Sequence, residues 1–214
     1  MPRVLLSGFE PFGDFATNPS WDALVYARDE GMFETGVRLA LIPVTYQGAF
    51  EAFEKAVVEY EPHAAISFGV YGSAGESGSF REGKNIGDKP AKLYIEATAR
   101  NRDGAKRADN SGRVQGAEEI VPGAPATLPA TFPAELLQQS LQEGGYQAEL
   151  SHDAGGYLCN HLFYRAAHLF GEGFAYGFVH VPAVDSMGGA LSLESLAGAM
   201  AIMANTLART LEDT

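Results

Sequence analysis

The stretch 37–69, VRLALIPVTYQGAFEAFEKAVVEYEPHAAISFG, decides the fold class. It opens with an apolar, β-rich run, continues with a segment whose apolar residues recur at helical spacing, and closes with a second apolar run after Pro62. Proline cannot continue a helix, so the second apolar run starts a new element. The stretch therefore predicts strand, helix and buried strand, which is the repeating unit of a parallel sheet.

The same alternation extends in both directions along the chain. Towards the amino terminus, RVLLSG predicts a strand, and Asn18 followed by Pro19 predicts the cap and first residue of a helix. Towards the carboxyl terminus, we expect a strand in LYIEATA, a helix in PAELLQQSLQEGG, a strand in QAELS, a helix around Cys159, a strand in FAYGFVHVP and a final helix from about Leu191. This order predicts a mainly parallel, twisted sheet with helices on both faces, in one domain spanning 1–214.

Two stretches interrupt the alternation. The segments 70–92 and 100–133 are rich in glycine, proline and charge, show no sustained period, and exceed the usual length of a connection in a compact domain. We expect the first to be a long inserted loop and the second a long irregular connection. Loops of this kind are commonly lids or disordered segments.

The composition excludes several classes of protein. Among 214 residues, 46% are hydrophobic and 20% charged, and no apolar run is long enough to cross a bilayer, so we expect no membrane partner. A formal charge of −12 repels nucleic acid and anionic lipid. The chain begins without a signal-peptide pattern, and one cysteine cannot form an internal disulfide, so we expect a cytoplasmic protein.

The single cysteine, Cys159, follows a glycine turn where a helix is predicted to begin. A thiol attacks as its thiolate, and the unpaired N–H groups and dipole of a helix N-terminus favour an anion there. The same N–H groups can hold the oxyanion of an acyl-transfer intermediate. From the residues alone, a small buried apolar side chain is an equally good interpretation of Cys159.

Three histidines are excluded as the base for Cys159 by geometry. His161 lies two positions along the predicted helix, about 200° around its axis, and His168 lies nine positions along it, about 13 Å away. His63 begins its strand and is expected at the opposite end of the sheet. We expect His161 and His168 to be surface or packing residues.

Two histidines remain as candidate bases. His152 follows QAELS on the same strand-to-helix turn as Cys159, where it is also compatible with a solvated role. His180 ends the apolar strand FAYGFVHV, at the carboxyl edge where sites of parallel sheets gather. We prefer His180, with a buried structural histidine as its alternative. The residues thus predict a cysteine-dependent acyl-transfer site, and composition does not name its substrate.

Three separated segments resemble one known family. LSHDAGGYLCNHLFY is similar to the active-site signature of pyroglutamyl peptidase I, LLSGFEPFGDFATNPSW is similar to that family's opening, and GFVHVP is similar to its histidine segment. The resemblance implies an α/β/α sandwich without metal or cofactor, and a Cys/His/Glu triad that cleaves N-terminal pyroglutamate from peptides. Cys159 would be the nucleophile and His180 the base.

The resemblance also implies a catalytic glutamate, whose position requires an insertion. The family motif is Glu, basic, apolar, Ala, any residue and Asn, and EATARN at 96–101 keeps its Glu, Ala and Asn. Family spacing from Gly69 instead reaches Phe80, which cannot serve, so about sixteen residues are inserted after Gly69. Glu96 is therefore the predicted third member, with a solvated strand-end carboxylate as the alternative interpretation. Two other glutamates are the remaining candidates: Glu76 and Glu82.

Family position also implies a pocket for the flat lactam ring, with aromatic walls and polar groups. The implied substrate-binding residues are Phe9, Phe12, Asn18, Val70, Lys106, Tyr157 and Leu158. The two phenylalanines are equally compatible with core positions in a turn, and Asn18 with a purely capping role.

Three positions depart from the family pattern. Val70 stands where the family commonly has glutamine, Ala97 follows the motif glutamate in place of a basic residue, and Lys106 stands where an arginine is thought to assist the oxyanion. Lysine is a point charge, not a planar fork, so that role is weakened. These departures bear on substrate affinity more than on the class of reaction.

The resemblance implies a cysteine exopeptidase that acts on pyroglutamylated peptides through a thioester acyl-enzyme. The alternatives are the same triad with another N-terminal acyl specificity, or a non-catalytic binding domain with this fold. Family members often form homodimers or homotetramers, and the apolar LAGAMAIMANTLA near the carboxyl terminus fits either an interface or the core.

Overall fold

The computed structural model describes residues 1–13, 15–34, 36–71, 91–171 and 173–212. The predicted inserted loop 70–92 therefore lies almost wholly outside the described residues. The same holds for the two alternative glutamates, Glu76 and Glu82.

A six-stranded sheet forms the centre of the molecule. Its strands are β1 (Arg3–Phe9), β2 (Gly36–Ile42), β3 (Ala64–Val70), β4 (Lys92–Glu96), β7 (Gln147–Ser151) and β8 (Ala175–Val181). They lie in the order β2-β1-β3-β8-β4-β7. The first four run parallel, while β4 is antiparallel to β8 and parallel to β7. The predicted mainly parallel sheet is confirmed.

Five helices cover the sheet in the described residues. They are α1 (Pro19–Asp29), α2 (Gly48–Tyr60), α3 (Ala134–Glu143), α4 (Leu158–Phe170) and α5 (Leu193–Glu212). Apolar residues of α1, α3 and α5 pack with one face of the sheet, and those of α2 and α4 pack with the other. Successive strand residues alternate between the faces, so Val4 and Leu6 join the first layer and Leu5 joins the second. The fold is a three-layer α/β/α sandwich.

The turn from β1 to α1 is held by Asn18. Its Oδ1 accepts hydrogen bonds from the backbone N and the Oγ of Ser20 at 3.1 and 2.8 Å, and its Nδ2 donates to the carbonyl of Glu10 at 2.9 Å. A side chain at Gly8 would lie 2.3 Å from the Ser20 carbonyl oxygen, so only glycine lets the strand approach the helix this closely. Asn18 therefore caps α1, and both its Oδ1 and its Nδ2 form hydrogen bonds within the protein.

The predicted strand LYIEATA is two separate strands. β4 ends at Glu96, and β5 (Thr98–Arg100) leaves the central sheet to pair antiparallel with β6 (Thr127–Pro129). Between them, Ala97 donates its N–H to the Ser151 carbonyl at 2.7 Å and accepts at its own carbonyl from Ala130 at 3.0 Å. The chain changes partners at one residue, which a continuous β-rich pattern does not reveal.

The connection 100–133 contains strand β6 and is internally hydrogen-bonded. The Asn101 amide donates to the carbonyls of Val121 and Ala124 at 2.8 and 3.2 Å, and its Oδ1 accepts from the backbone of Val121 at 2.9 Å.

The apolar carboxyl-terminal segment belongs to the core. The buried residues of α5 include Leu196, Ala197, Ala199, Met200, Met203, Ala204 and Leu207. In the described part of the chain, no helix combines the length and apolar character that crossing a membrane requires.

Two adjacent leucines on α3 test the packing of this helix against the sheet. Leu137 is 0% exposed, whereas Leu136 is 40% exposed. We predict that Leu137→Ala lowers the free energy of unfolding by about 2–5 kcal/mol, because it leaves a cavity between α3 and the sheet. Leu136→Ala is the matched control and should change it by only about 0.5 kcal/mol. Urea denaturation measures both, and equal losses would contradict the described placement of α3.

Candidate active site

Strand alternation directs two predicted catalytic residues toward the same layer. On β8, Tyr176 and Phe178 pack in the layer of α2 and α4, so His180, two residues further, lies on that face. On β4, Ile95 packs in the opposite layer, which places Glu96 on the face shared by His180. The two side chains meet because β4 runs antiparallel beside β8.

His180 and Glu96 form a buried hydrogen-bonded pair. The Nδ1 of His180 lies 2.7 Å from the Oε1 of Glu96, and the residues are 8% and 1% exposed. A carboxylate only accepts hydrogen bonds, so the Nδ1–H donates and the ring orientation is fixed. The Nε2 atom is then left to face the thiol.

Cys159 lies in the first turn of α4, close enough to His180 for its charge to raise the pKa of the imidazole. A Cβ atom at Gly69 would lie 2.9 Å from the Cys159 Sγ and 2.8 Å from the ring of Phe178. Gly69 is paired in register with His180 on the neighbouring strand. The absence of a side chain at Gly69 is thus what admits the sulfur beside the imidazole.

The surroundings of His180 favour its charged form. Burial favours the neutral ring and lowers the pKa, but the negative charge and hydrogen bond of Cys159, followed by those of Glu96, outweigh burial and raise the pKa of His180 to about 10. At neutral pH the imidazole of His180, between Cys159 and Glu96, is therefore held in its charged form.

Residues that follow the cysteine fasten a distant segment to α4. The buried Asn160 donates to the carbonyls of Arg100 and Arg102 at 2.8 and 3.1 Å and accepts from the backbone of Arg100 at 2.9 Å. The Nδ1 of His161 lies 2.8 Å from the Oδ2 of Asp103, and both residues are buried. The sequence alone does not predict Asn160 or Asp103 as part of the site. The local signal for Asn160 is that it and His161 are polar residues in an otherwise apolar helix start.

Tyr46 extends the polar cluster around His161. Its ring meets those of His161 and Tyr157 edge-on, with centroids 5.3 and 5.8 Å apart. Burial raises the pKa of Tyr46 above its ordinary value, and the charge of Asp103 adds to the effect, so the phenol stays neutral. The Tyr46 hydroxyl, Asp103 Oδ1 and His161 Nε2 are buried with no hydrogen-bond partner in the described residues.

The predicted aromatic walls divide into core and surface residues. Phe9 is buried, with its ring centroid 6.3 Å from that of Phe178, and Leu158 is also buried. Phe12 and Tyr157 are only partly buried, and the Tyr157 hydroxyl donates to the Ala108 carbonyl at 3.0 Å. Phe12 and Tyr157 are therefore the aromatic surfaces of the predicted pocket that remain accessible.

Two further residues predicted for the pocket are Val70 and Lys106. Val70 packs with Phe68 in the layer of α1 and α5, whereas Cys159 packs in the other layer. Lys106 is exposed. The next residue, Arg107, has its guanidinium carbon 4.5 Å from the ring centroid of Phe12. Arg107, and not the predicted Lys106, is therefore the cation seen against the ring of Phe12.

The other histidines have partners away from the sulfur. The exposed His152 shares a hydrogen bond with the Thr98 hydroxyl at 3.0 Å, and His63 accepts from the Arg3 backbone at 2.9 Å at the far end of the sheet. His168 is exposed and stacks on Tyr164. In the portion of the chain that the structure describes, no group of three or more His, Cys, Asp or Glu side chains is arranged to hold a metal ion.

A thiol at a helix N-terminus, an imidazole and a buried carboxylate in series on a three-layer α/β/α sandwich are the features of an α/β cysteine hydrolase. The family model for pyroglutamyl peptidase matches residues 2–210. The chain belongs to the pyroglutamyl peptidase family, and the resemblance seen in its sequence is confirmed.

Relatives match over most or all of the chain. It is 33% identical to the pyrrolidone-carboxylate peptidase of Clavibacter michiganensis subsp. michiganensis, covering 85% of this chain and 79% of that protein. It is 30% identical to the pyrrolidone-carboxylate peptidase of Vibrio vulnificus, and the match covers 100% of this chain and 96% of that protein.

Solved structures share the fold. The crystal structure of Bacillus amyloliquefaciens pyroglutamyl peptidase I has a TM-score of 0.84 at 25% identity, covering 98% of both chains. The pyrrolidone carboxyl peptidase of Thermus thermophilus has a TM-score of 0.81 at 31% identity, covering 95% of this chain and 100% of that one.

Gly69→Ala tests the space beside the sulfur. The added methyl group would displace Sγ from His180, so we predict that Cys159 reacts with iodoacetamide about tenfold more slowly. Gly116→Ala is the control, since a Cβ there meets its nearest atom at 3.6 Å. Alkylation followed by mass spectrometry gives both rates, and an unchanged rate in Gly69→Ala would contradict the contact.

Cys159→Ser tests the origin of the raised pKa of His180. Removal of the thiolate takes away the largest contribution that opposes burial, so the pKa of His180 should fall well below about 10. Nuclear magnetic resonance of the imidazole nitrogens measures the change, with His63 as a reference signal at the far end of the sheet. An unchanged pKa of His180 would contradict Cys159 as the main cause of the raised value.

The raised pKa also has a consequence for stability. A raised folded-state pKa stabilises the protein fully below the ordinary value of 6.5, and this contribution is lost as the pH rises to about 10. The free energy of unfolding of the wild-type protein should therefore decline over this window more than that of Cys159→Ser.

Proposed function

We propose that the protein is a cysteine exopeptidase that hydrolyses the bond after an N-terminal L-pyroglutamyl residue of peptides. The observation that carries the proposal is the buried hydrogen bond between His180 and Glu96 beside Cys159, which lies at the start of α4, in a member of the pyroglutamyl peptidase family. Relatives named pyrrolidone-carboxylate peptidase, matched over most of the chain, support the acyl specificity.

The first half of the reaction forms the acyl-enzyme. The Cys159 thiolate attacks the scissile carbonyl carbon, the C–S bond forms, and the carbonyl electron pair moves to oxygen. N–H groups of the first turn of α4, which lack partners within the helix, stabilise that oxyanion. The His180 imidazolium gives its proton to the departing amine, and the C–N bond breaks to leave a thioester.

The second half restores the enzyme. His180, now neutral, takes a proton from water, and the resulting hydroxide attacks the thioester carbonyl. The C–S bond breaks, pyroglutamate leaves, and the thiolate and imidazolium are regenerated. Glu96 holds the ring orientation through both halves and stabilises each return to the imidazolium.

The accessible aromatic surfaces support recognition of a flat lactam. Tyr157 immediately precedes α4, and the rings of Tyr157 and the partly buried Phe12 offer apolar faces to the methylenes of pyroglutamate. Val70, in place of the family's usual glutamine, supplies no lactam hydrogen bond. This difference favours one second candidate, the same hydrolase with another N-terminal acyl specificity.

We also propose that the enzyme works in the cytoplasm as a homo-oligomer. A nucleophilic thiol persists in a reducing compartment, which supports the location. Exposed apolar side chains on the edge strand β2 and on the adjacent helix α2, Leu41 and Val58, support self-association. Light scattering of the purified protein tests the assembly, and a monomer at micromolar concentration would contradict it.

The activity test uses a chromogenic pyroglutamyl amide. We predict that Cys159→Ser lowers kcat/KM by at least about a thousandfold, because the nucleophile is lost, and Glu96→Gln lowers it by about 100-fold or more, because the imidazole loses its acceptor. Glu149→Gln, an exposed carboxylate on β7 that pairs with Lys92, is the control and should keep wild-type activity.

Each outcome of that test separates the alternatives. Undiminished activity in Cys159→Ser would overturn the nucleophile. Cleavage of prolyl or N-acetylated amides in preference to the pyroglutamyl amide would favour the altered acyl specificity. No turnover, together with slow alkylation of Cys159, would favour a non-catalytic binding domain. Circular dichroism shows whether each variant is folded.

A further inference from the structure

Tyr94 lies beside His180 on the neighbouring strand. The two residues are paired directly across the antiparallel strands β4 and β8. Residues in such a pair project to the same face of the sheet, with their Cβ atoms about 4.5–5.5 Å apart. Tyr94 also stands two residues before Glu96, so alternation along β4 places it on the face that carries the triad. The Tyr94 side chain is therefore next to the imidazole.

The Tyr94 side chain is partly open to solvent, unlike its neighbours on β4. Leu93 and Ile95 point to the opposite face, are 0% exposed and pack in the layer of α3. Tyr94 is only partly buried. Because β4 runs antiparallel to β8, Tyr94 lies nearer than Glu96 to the edge of the sheet at which β8 ends. Tyr94 thus presents an aromatic surface at the edge that carries His180.

A second tyrosine orients this ring. Tyr71 directly follows β3, and its backbone N–H donates to the Val181 carbonyl at 3.1 Å. Its ring meets that of Tyr94 edge-on, with centroids 5.2 Å apart and an interplanar angle of 78°. Because β8 lies between β3 and β4, this contact crosses β8 where the strand ends, next to His180. Edge-to-face packing of this kind holds the plane of the Tyr94 ring.

The order of the strands separates Tyr94 from the proposed lactam walls. The strands β1, β3, β8 and β4 are consecutive neighbours in the sheet. Phe12 follows β1, and the Cys159 sulfur lies against Gly69 of β3. His180 is on β8 and Tyr94 is on β4. Phe12 and Tyr94 therefore lie on opposite sides of the sulfur and the imidazole.

The departing amine of the substrate must contact His180. In the proposed reaction the imidazolium gives its proton to that nitrogen, which requires a distance of about 2.6–3.2 Å between the two nitrogens. The Cα of the residue after pyroglutamate is bonded to the same nitrogen, about 1.5 Å away. With the lactam on the Phe12 side, this residue lies on the side of Tyr94. Phe178 also contacts the imidazole but is 0% exposed, so the partly open ring beside His180 is that of Tyr94.

We propose that Tyr94 lines the subsite for the residue that follows pyroglutamate and makes the enzyme prefer a large apolar or aromatic side chain there. The inference rests on the proposed function. An aromatic ring packs favourably against another aromatic side chain, and one such contact changes a rate ratio by about two- to tenfold. The hydroxyl takes no part in this packing, so the ring of Tyr94 is the determinant.

The test compares two uncharged substrates, pyroglutamyl-phenylalanine amide and pyroglutamyl-alanine amide. Wild-type kcat/KM should be about fivefold higher for the phenylalanine substrate, because its ring packs on Tyr94. Tyr94→Ala should bring the ratio of the two values close to one, and Tyr94→Phe, which keeps the ring, should retain it. Tyr26→Ala is the control, because it removes a partly buried ring of α1 on the opposite face of the sheet and should keep the wild-type ratio.

The ratio within each variant cancels any general loss of folded or reactive enzyme. Equal cleavage of both amides by the wild type, or a preference for the alanine substrate, would overturn the role of Tyr94 and leave the proposed function intact. A preference for phenylalanine that survives Tyr94→Ala, or that is lost in Tyr94→Phe or Tyr26→Ala, would also overturn it. Cleavage of neither amide by the folded wild-type protein would overturn the proposed function and, with it, this inference.

Discussion

The hydrogen bond between His180 and Glu96 is the constraint on which the rest of the site depends. A buried carboxylate without a partner is costly, and a buried imidazole without one has no fixed orientation. Satisfying both requires that two strands carry their polar side chains on the same face, at neighbouring positions. The sheet meets this condition by placing β4 antiparallel beside β8, with Glu96 opposite Phe178 and diagonal to His180. The departure from an all-parallel sheet is thus tied to the chemistry.

The hydrogen-bonded pair of His180 and Glu96 also requires the sulfur of Cys159 beside it. Helix α4 brings Cys159 down onto the sheet, and Gly69 leaves the space that the sulfur occupies. Bonds from Asn160 and His161 to the segment 100–103 then hold the first turn of the helix from its other side. Buried polar groups paired across about sixty residues of sequence make this arrangement specific, since each loses its partner if the helix shifts.

Much of the frame follows from local sequence. Alternation of strands and helices, with Pro62 and the Asn18 cap as boundaries, predicts the sandwich, and the carboxyl edge of β8 selects His180 from five histidines. Glu96 does not follow from the residues alone, because its place depends on a non-local pairing after an insertion of unpredictable length. The division of the strand at Ala97 and the pairing of His161 with Asp103 cannot be predicted from the sequence for the same reason. They are set by tertiary partners, and no local propensity encodes them.

The rim of the site follows a different physical logic from its centre. At the centre, the buried His180 and Glu96 hold each other by a hydrogen bond, so a substitution of either one leaves a buried polar group without that partner. At the rim, the exposed Lys106 side chain faces no such penalty, and a substitution there leaves the hydrogen bond between His180 and Glu96 in place. The guanidinium of Arg107 lies against the ring of Phe12, which is one of the two partly buried aromatic side chains of the proposed pocket. Under the proposed function, we therefore expect substitutions at these surface positions to act on peptide binding and substitutions of His180 or Glu96 to act on the chemical step.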